Sequence, residues 1–575
     1  MKKSRRFLAL AVALVVLAVM VPVYTWAAGA PALISAEVQQ KNVLVNQDVV
    51  FRVVTDTNAT KVRVVNEDGT TYSIANIDAG FAGYADVDGQ RTWTITKKAQ
   101  FSGVTTKTIQ VGSTIYGYGP QKLKIKFGSH FTEDEFTDID AEPATRGMEG
   151  TFIQSWMVRD WTQERWDAEF AAMQEAGMKY LIVQSVTDVA YQTSGSAYGQ
   201  DYSRYPKDYA VSMYPSELPL LSGTNNGIDS LERCFAAAKA HDIQLYLGPC
   251  SDNRWWLFGW GMPSAPAGVT DLKKDSYFAN WARENAELNN SVMEEIYNRY
   301  ADKYADTLAG WYYYNEVWNI DVACAGTDNG VYAEILSDSM NRIIAKINEL
   351  DSSKKFMLSP FYNTTISTAV QNGDMWASIL EKTNFRQGDI FAPQDCIGGH
   401  PDDAFNGTID TWTKELKRAS LANSNVSFWS NNENFIEGGG IALLDRYIQQ
   451  MEVTSQYAEK NICFSWNHYY SPELVNQGYQ NTYLNYLENG VLESQAPTAP
   501  TLSKSGYTIN ISGSTDNIGV CGYYIYKGDM NTLAATLVCD KNSVPSSYTA
   551  NSAGTYYVVA YDFANNKSEP VQVVV

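Results

Sequence analysis

The middle of the chain alternates short apolar runs with stretches whose apolar residues recur at helical spacing. The apolar runs lie at residues 150–156, 179–186, 243–249, 310–316, 355–360, 389–393, 426–433 and 462–466. Eight strands, each followed by a helix, are typical of an α/β (β/α)₈ TIM barrel, which we therefore predict. The competing fold is a doubly wound open sheet. That fold typically has a glycine-rich turn after its first strand, and no such turn follows residues 150–156.

The first helical stretch shows how the predicted helices begin and end. Thr162 has the side chain of a helix N-cap, and Trp166, Phe170 and Met173 then fall on one face at helical spacing. Gly177 is the type of residue at which a helix stops. We therefore expect this helix to pack its apolar face on the barrel.

Both flanks of the barrel region carry the pattern of small all-β sandwich domains. Residues 91–96 alternate cleanly, and turns rich in Asn, Asp and Gly separate the short runs around them. Residues 522–526 and 554–560 show a similar strand-like pattern. Short alternating strands with such turns predict two β-sandwiches. Residues 496–500, Ala-Pro-Thr-Ala-Pro, have the composition of a stiff linker in front of the second one.

The first thirty residues have the layout of a secretory signal peptide. Basic side chains between residues 2 and 6 precede an apolar stretch at residues 7–21, and small residues follow around Ala28. A transmembrane anchor is the alternative, but the stretch is shorter than the ~20 residues of a typical span. We expect a secreted, extracellular protein with no membrane span after cleavage. The predicted division is signal peptide 1–30, immunoglobulin-like β-sandwich 31–127, barrel 128–495 and second β-sandwich 496–575.

Charge and composition narrow the class of ligand. The chain has 64 acidic and 44 basic residues and a formal net charge of −20, which repels polyphosphate and argues against nucleic acid. It also contains 15 Trp and 37 Tyr, whose rings either fill cores or stack on the apolar faces of sugars. No C-x-x-C pair occurs and the four histidines are far apart, so we expect neither a metal nor a cofactor.

Two predicted strands end in a glutamate. Strand four ends in Tyr314, Asn315 and Glu316, and strand seven ends in Asn432 and Glu433. A barrel carries its active site at the carboxyl ends of its strands, so both carboxyls are expected at one mouth. Cleavage of a glycosidic bond needs two carboxyls, one to protonate the leaving oxygen and one to attack the sugar or activate water.

These strand ends resemble the large clan of retaining glycoside hydrolases built on this barrel. The resemblance implies that Glu316 is the acid/base and Glu433 the nucleophile. It further implies that Asn315 contacts the 2-hydroxyl of the sugar and that Trp466, at the end of strand eight, is a stacking platform. Many clan members carry an arginine near the end of strand two, where this sequence has Gln184.

A narrower resemblance covers roughly the whole barrel. Residues 150–154 and the segment Ile182, Val183 and Gln184 are similar to a poorly characterised family of secreted bacterial barrels, described only by inference as glycoside hydrolases. Such a family fixes no substrate. In the last part of the chain, residues 516–520 and 522–526 resemble fibronectin type III-like modules of secreted bacterial glycosidases.

Other side chains predicted at the mouth are candidates for binding the substrate. Besides Asn315 and Trp466 they are Trp156, Gln184, Trp255, Trp256, Tyr314, Asn432 and His468. Asp188, Asp252 and Asp395 also follow strands and compete for the catalytic role. For Asp252 we expect an ion pair with Arg254 or a bond to a hydroxyl rather than catalysis.

The sequence therefore predicts a secreted glycoside hydrolase that cleaves O-glycosidic bonds of a poly- or oligosaccharide, with retention of configuration. The alternative is a non-catalytic extracellular carbohydrate-binding protein on a degenerate barrel, which the flanking β modules would hold near a cell-surface glycan. Deacylation has little support, because the sequence has no Gly-x-Ser-x-Gly elbow.

Overall fold

The computed structural model describes residues 31–38, 42–44, 48–66, 71–98, 107–111, 114–120, 123–128, 137–140, 142–143, 147–191, 207–258 and 272–575. The predicted signal peptide lies outside these residues. The chain divides into two compact units, Met1–Ala144 and Thr145–Val575. Within the described ranges, no helix combines the length and the apolar character that crossing a bilayer requires.

The first unit contains three sheets, whose strands pair antiparallel except for Leu33–Val38 with Glu142–Pro143. The strand order of the first sheet is Glu142–Pro143, Leu33–Val38, Asp48–Asp56, Gln90–Lys98 and Tyr84–Val87. The order of the second sheet is Thr137–Asp140, Leu123–Gly128, Lys61–Asn66 and Thr71–Asn76. The order of the third sheet is Asn42–Leu44, Thr114–Pro120 and Lys107–Val111. Phe51 and Trp93 of the first sheet share a buried cluster with Val62 of the second, as in a sandwich. Thr137–Asp140 pairs with Leu123–Gly128, so sheet pairing continues past residue 127.

The second unit contains a closed parallel barrel, which confirms the predicted fold class. Its barrel strands one to eight are Met148–Ile153, Tyr180–Val183, Gln244–Leu247, Leu308–Tyr313, Lys355–Leu358, Asp389–Phe391, Val426–Glu433 and Lys460–Phe464. Every predicted run overlaps one of these strands. Strand four ends at Tyr313, three residues before Glu316, whereas strand seven includes Glu433.

Side chains alternate between the barrel interior and the helix layer, because successive residues of a strand point to opposite faces. The interior cluster holds Phe152, Ile182, Tyr246, Tyr312, Met357, Ile390, Ala392, Trp429 and Ile462. Their neighbours along the strands, such as Tyr313 and Phe428, belong to the large cluster under the helices. This alternation decides which strand-end residues face the mouth.

Long helices cover the outside of the barrel, and four-residue helices follow the ends of strands one, four and eight. They are Ser155–Val158, Gln163–Glu175, Ser230–Ala240, Tyr277–Tyr304, Asp321–Cys324, Val331–Asp351, Ala369–Lys382, Thr408–Ser420, Leu444–Thr454, Trp466–Tyr469 and Gln477–Asn489. Thr162 caps the second of them by accepting the backbone N–H of Arg165, as predicted. Trp166, Phe170 and Met173 are fully buried on its inner face.

A small sheet forms at the mouth from the connections after strands two and three. Thr187–Tyr191 pairs antiparallel with Lys207–Ser212 and parallel with Cys250–Asp252. The connections after strands two and three are thus joined by backbone hydrogen bonds. This sheet gives the mouth a fixed wall on the side of strands one to four.

The C-terminal residues form two further antiparallel sheets. One is Thr501–Ser505, Thr508–Ser512 and Ser547–Thr549, and the other Leu533–Val538, Val520–Lys527, Thr555–Asp562 and Val571–Val574. This module packs on the barrel helices. The Phe563 ring meets the Tyr479 ring edge-on at 4.8 Å between centroids, and the Phe563 carbonyl accepts the N–H of Leu444 over 2.9 Å. A Cβ on Gly478 would come within 1.9 Å of the Phe563 ring, so this contact requires glycine.

Candidate active site

Glu433 closes strand seven with its side chain on the inner face. Trp429 lies in the barrel interior, and the alternation carries Asn431 and Glu433 to the same side. The Asn431 side chain confirms this direction, since its Nδ2 donates to Oγ of Ser359, the residue after strand five, over 3.0 Å. Glu433 is buried, and its Oε2 accepts the backbone N–H of Gly398 over 2.6 Å.

Gly398 is required for this contact. A Cβ at this position would lie 2.4 Å from the ring of Phe435 and 2.8 Å from Oε2 of Glu433. Both distances are shorter than carbon contacts allow, so only glycine lets this backbone approach the carboxylate.

The segment after strand six connects the two glutamates. Gln394 forms a parallel bridge with Asn431 of strand seven, which brings the segment beside the end of that strand. The Gln394 Nε2 donates to Oε1 of Glu316 over 3.4 Å and to the Ser359 carbonyl over 3.2 Å. The next residue, Asp395, accepts the backbone N–H of Glu433 over 3.1 Å. Of these two consecutive residues, Gln394 therefore contacts the Glu316 carboxyl and Asp395 contacts the backbone of Glu433.

Asp395 is a buried carboxylate surrounded by N–H donors. Gln450 Nε2 donates to its Oδ2 over 2.7 Å and Asn432 Nδ2 over 2.9 Å, while the N–H of Glu433 contacts Oδ1. Burial raises the pKa of this carboxyl above its usual range, and these hydrogen bonds offset part of that rise. Since each of these groups donates, they stabilise the ionised form of Asp395.

Glu316 has few polar partners. Its side chain is half-buried, and Gln394 is its one side-chain hydrogen-bond partner among the described residues. Burial raises the pKa of Glu316 to about 7, against a small lowering by Gln394. Trp255 fixes the backbone at this point, because its Nε1 donates to the Glu316 carbonyl over 3.1 Å. Glu316 thus holds a proton in a substantial fraction of molecules at neutral pH.

Glu433 has a different electrostatic environment. Burial and then the charge of Asp395 raise the pKa of Glu433 to about 8, and the Gly398 N–H and the positive charge of Arg446 offset only part of that rise. Arg446 is a buried cation on the helix Leu444–Thr454, and its Nη2 donates to the carbonyls of Glu433 and Phe435 over 3.0 and 2.7 Å. Glu433 therefore has groups that stabilise a carboxylate, which Glu316 lacks.

Several predicted binding residues do lie at the mouth. Gln184 and Tyr314 line a cavity there together with Trp156. His468 is half-buried beside Trp156, with the ring centroids 5.8 Å apart, and burial lowers the pKa of this imidazole to about 4. Trp256 is exposed and its ring lies 6.3 Å from that of Phe361. These side chains are placed where a ligand can reach them.

Four other predicted binding residues are corrected. Trp466 is 0 % exposed within the large core, so it offers no ring face to a sugar. Asn432 points to the helix layer, where it holds Asp395 and Thr454. Asn315 is likewise turned outwards, donating to Asn285 over 3.2 Å.

Trp255 is the fourth predicted binding residue that the structure corrects. It is buried against Trp281, with the ring centroids 5.9 Å apart, and contacts Glu316 only through the backbone carbonyl. The alternation of side chains explains Asn432 and Asn315, because neighbours of an inward residue point outwards. Trp466 follows the end of strand eight and begins a short helix, so it leaves the interior face.

The prediction for Asp252 is confirmed. Arg254 pairs with it over 2.6 Å, and the Trp281 Nε1 donates to the same carboxylate. Asp252 is buried in this ion pair and is not positioned to react with a substrate.

Sequence reasoning missed Gln394 and Arg446. Gln394 gave no signal of its own, because its contacts depend on the pairing of strands six and seven. Arg446 had a signal: it lies between Leu444, Tyr447 and Ile448 on the buried side of a helix. A charged residue within an apolar stripe indicates a specific partner in the interior.

Residues 148–476 match the family model described as Domain of unknown function (DUF4434). The chain belongs to this family. The DUF4434 region thus covers all eight barrel strands and both glutamates. Its description gives no activity.

Apart from the match to the DUF4434 family, comparison with known proteins gives only short or distant similarities. Chitinase A1 of Niallia circulans is 39% identical over 82 residues, which span 13% of this chain and only 11% of that relative. A protein named as an α-L-fucosidase from Bacteroides thetaiotaomicron superposes with a TM-score of 0.41 and 18% identity, covering 60% of this chain and 94% of that one. The chitinase ChiW of a Paenibacillus species gives a TM-score of 0.34 and 10% identity, over 95% of this chain and 51% of its own.

Proposed function

We propose that the protein is a secreted glycoside hydrolase that cleaves O-glycosidic bonds of a poly- or oligosaccharide, with Glu316 as acid/base and Glu433 as nucleophile. The observation that carries this proposal is the pair of buried or half-buried glutamates at the ends of strands four and seven, one contacted by Gln394 and the other by its neighbour Asp395. A carboxyl that can give a proton, and a second one that hydrogen bonds and a cation help to ionise, are what this chemistry needs.

Glu316 suits the role of general acid. Burial gives it a pKa of about 7, so that it carries a proton near neutral pH. An acid is most effective when its pKa lies near the working pH, because it is then protonated and still able to release its proton. The Gln394 amide orients the carboxyl without a positive charge that would keep it ionised.

Glu433 suits the role of nucleophile. The Gly398 N–H contacts its Oε2, and the buried Arg446 lies on the backbone side of the same residue. Hydrogen bonds from N–H groups and a nearby cation both favour the carboxylate. Arg446 supplies the positive charge that many members of the retaining clan place on strand two, where this chain has Gln184.

In the proposed double displacement, a Glu433 oxygen bonds to the anomeric carbon while the bond to the leaving sugar breaks. Glu316 gives its proton to the leaving oxygen. Water then attacks the same carbon, Glu316 takes a proton from that water, and the bond to Glu433 breaks. This sequence requires the carboxyls to be ~5–5.5 Å apart, against ~6.5–9.5 Å for inversion.

The test is reducing-sugar release by the mature protein from a broad panel of soluble polysaccharides. Release from one of them supports hydrolysis, and proton NMR of the first product then gives its anomeric configuration. Initial formation of the substrate's own anomer supports the retaining mechanism, and the opposite anomer contradicts it. Binding to a polymer without any release would favour a non-catalytic carbohydrate-binding protein instead.

A further inference from the structure

A cavity of about 620 Å³ lies at the mouth, at the ends of strands one to four, and its lining residue Tyr314 precedes Glu316 by two positions. Its lining includes Trp156, Gln184, Asp188, Ser251 and Tyr314 but neither Glu316 nor Glu433. Cavities of this size are common ligand sites, whose volumes run from about 300 to 1,000 Å³. The cavity is therefore large enough for a sugar unit next to the bond that would be cleaved.

Asp188 carries a negative charge into this cavity. Ser155 Oγ donates to its Oδ2 over 2.5 Å, and Ser185 and Ser251 donate to its Oδ1 over 2.6 and 2.5 Å. An ionised carboxylate accepts about four hydrogen bonds, so one acceptor position on Oδ2 is left over. Three hydroxyls from three different connections hold the carboxylate in one orientation.

No basic side chain among the described residues forms an ion pair with Asp188. Arg159 lines the same cavity and its Nε lies 4.0 Å from Asp160, whereas Arg254 pairs with Asp252. The charge of Asp188 is thus solvated by hydroxyls and not neutralised. A ligand that donates a hydrogen bond gains from such a group, while an acidic ligand is repelled.

Trp156 supplies a ring face at the same cavity. Trp156 is 63 % exposed, and its Nε1 donates to Gln154 Oε1 over 2.9 Å. Gln154 Nε2 in turn donates to Gln184 Oε1 over 2.7 Å. This chain of hydrogen bonds fixes the indole and uses the Gln184 Oε1, and Gln184 itself lines the cavity. An exposed aromatic ring held in one orientation is suited to stacking on the C–H face of a sugar.

We infer that this cavity is a subsite for one sugar ring without an acidic group, neutral or amino-bearing. Asp188 accepts a hydrogen bond from a hydroxyl or ammonium of that ring, Gln184 donates one, and Trp156 stacks on its face. The assignment rests on the proposed function for the nature of the ligand. It adds that Asp188 and Trp156 determine specificity and that uronic acids are disfavoured.

The test measures binding of the full chain carrying Glu316→Gln, which retains the cavity and slows turnover. The probes are soluble xylan and hydroxyethylcellulose as neutral polymers, chitosan as a cationic one and polygalacturonate as an anionic one. Binding is followed by affinity electrophoresis and tryptophan fluorescence. The tightest binding is expected for a neutral or cationic polymer.

Two further substitutions test the named residues in the same background. Asp188→Asn and Trp156→Ala are each expected to weaken binding of that polymer about tenfold or more, as expected for a lost charge-assisted hydrogen bond or ring contact. The exposed Asp402, changed to Asn, is the matched control and leaves binding unchanged. Because Trp156 is exposed, Trp156→Ala keeps the fold even if Asp188→Asn weakens it.

Each outcome has a distinct meaning. Tightest binding of polygalacturonate, or unchanged binding by both variants, would overturn the subsite. Binding as expected, with no release of reducing ends by the unmodified protein from the same polymer, leaves the subsite and overturns the hydrolase. Binding of none of the four polymers overturns both.

Discussion

Asp395 accepts a hydrogen bond from the backbone amide of Glu433 over 3.1 Å, which sets a buried carboxylate beside the residue that ends strand seven. Its charge raises the pKa of Glu433. Gln394, the preceding residue, contacts Glu316. This short segment therefore influences both members of the pair, and a substitution in it has a predictable effect on the pH dependence of activity.

Asp395→Asn removes one negative charge next to Glu433. The pKa of Glu433 then falls, so Glu433 is ionised at lower pH and the acidic limb of the kcat/KM profile moves to lower pH. The limb that reports the proton on Glu316 stays in place, because burial and Gln394, and not Asp395, shift the pKa of Glu316. The profile is measured on the best polymer of the panel.

The same substitution also weakens the fold. An asparagine amide faces the donors Gln450 and Asn432, so we expect a loss of about 1–3 kcal/mol in the free energy of unfolding. Denaturant titration separates this loss from the effect on activity. If activity falls equally at all pH values and the acidic limb does not move, Asp395 has only a structural role.

Arg446→Met tests the opposite charge effect. Arg446 lowers the pKa of Glu433, so its removal raises that pKa and moves the acidic limb to higher pH. Arg446→Lys keeps the positive charge and is the matched control, with the limb expected near its original position. A limb that shifts equally in both variants would show that the guanidinium contacts, and not the charge, set the pKa of Glu433.

Phe563→Ala tests the docking of the C-terminal module. Phe563 is fully buried against Tyr479 and Gly478, and truncation of such a ring costs about 3–5 kcal/mol. Because the ring joins module and barrel, the melting temperature of the barrel itself is expected to fall. Tyr507→Ala, at an exposed position of the same module, leaves it unchanged. An unaltered barrel transition in Phe563→Ala would mean that the two parts unfold independently.

Much of the barrel was predictable because each strand carries its own apolar run. The same runs placed Glu316 and Glu433 at the mouth, since a strand's last residues lie at its carboxyl end. Whether a single side chain points into the barrel or towards the helices was less predictable. Asn432 and Asn315 stand next to the glutamates in sequence but point to the helix layer, because adjacent residues alternate sides.

The remaining features depend on contacts between distant parts of the chain. Gln394 reaches Glu316 across 78 positions, and Ser251 reaches Asp188 across 63. No local pattern encodes such pairs. The burial of Trp466 was hidden for a related reason: strand eight ends at Phe464, two residues earlier than the apolar run suggests, so the indole falls into the helix layer.

The most direct test of the central claim is the kcat/KM of Glu316→Gln and Glu433→Gln on the polymer that the panel identifies. The exposed Glu437, changed to Gln, is the control at the same mouth. We predict a loss of about 10²–10⁴-fold for Glu316→Gln. The loss for Glu433→Gln should be at least as large, with unfolding transitions near that of the unmodified protein and full activity in the control. Folded Glu316→Gln and Glu433→Gln variants that retain the activity of Glu437→Gln would contradict the assignment of this pair.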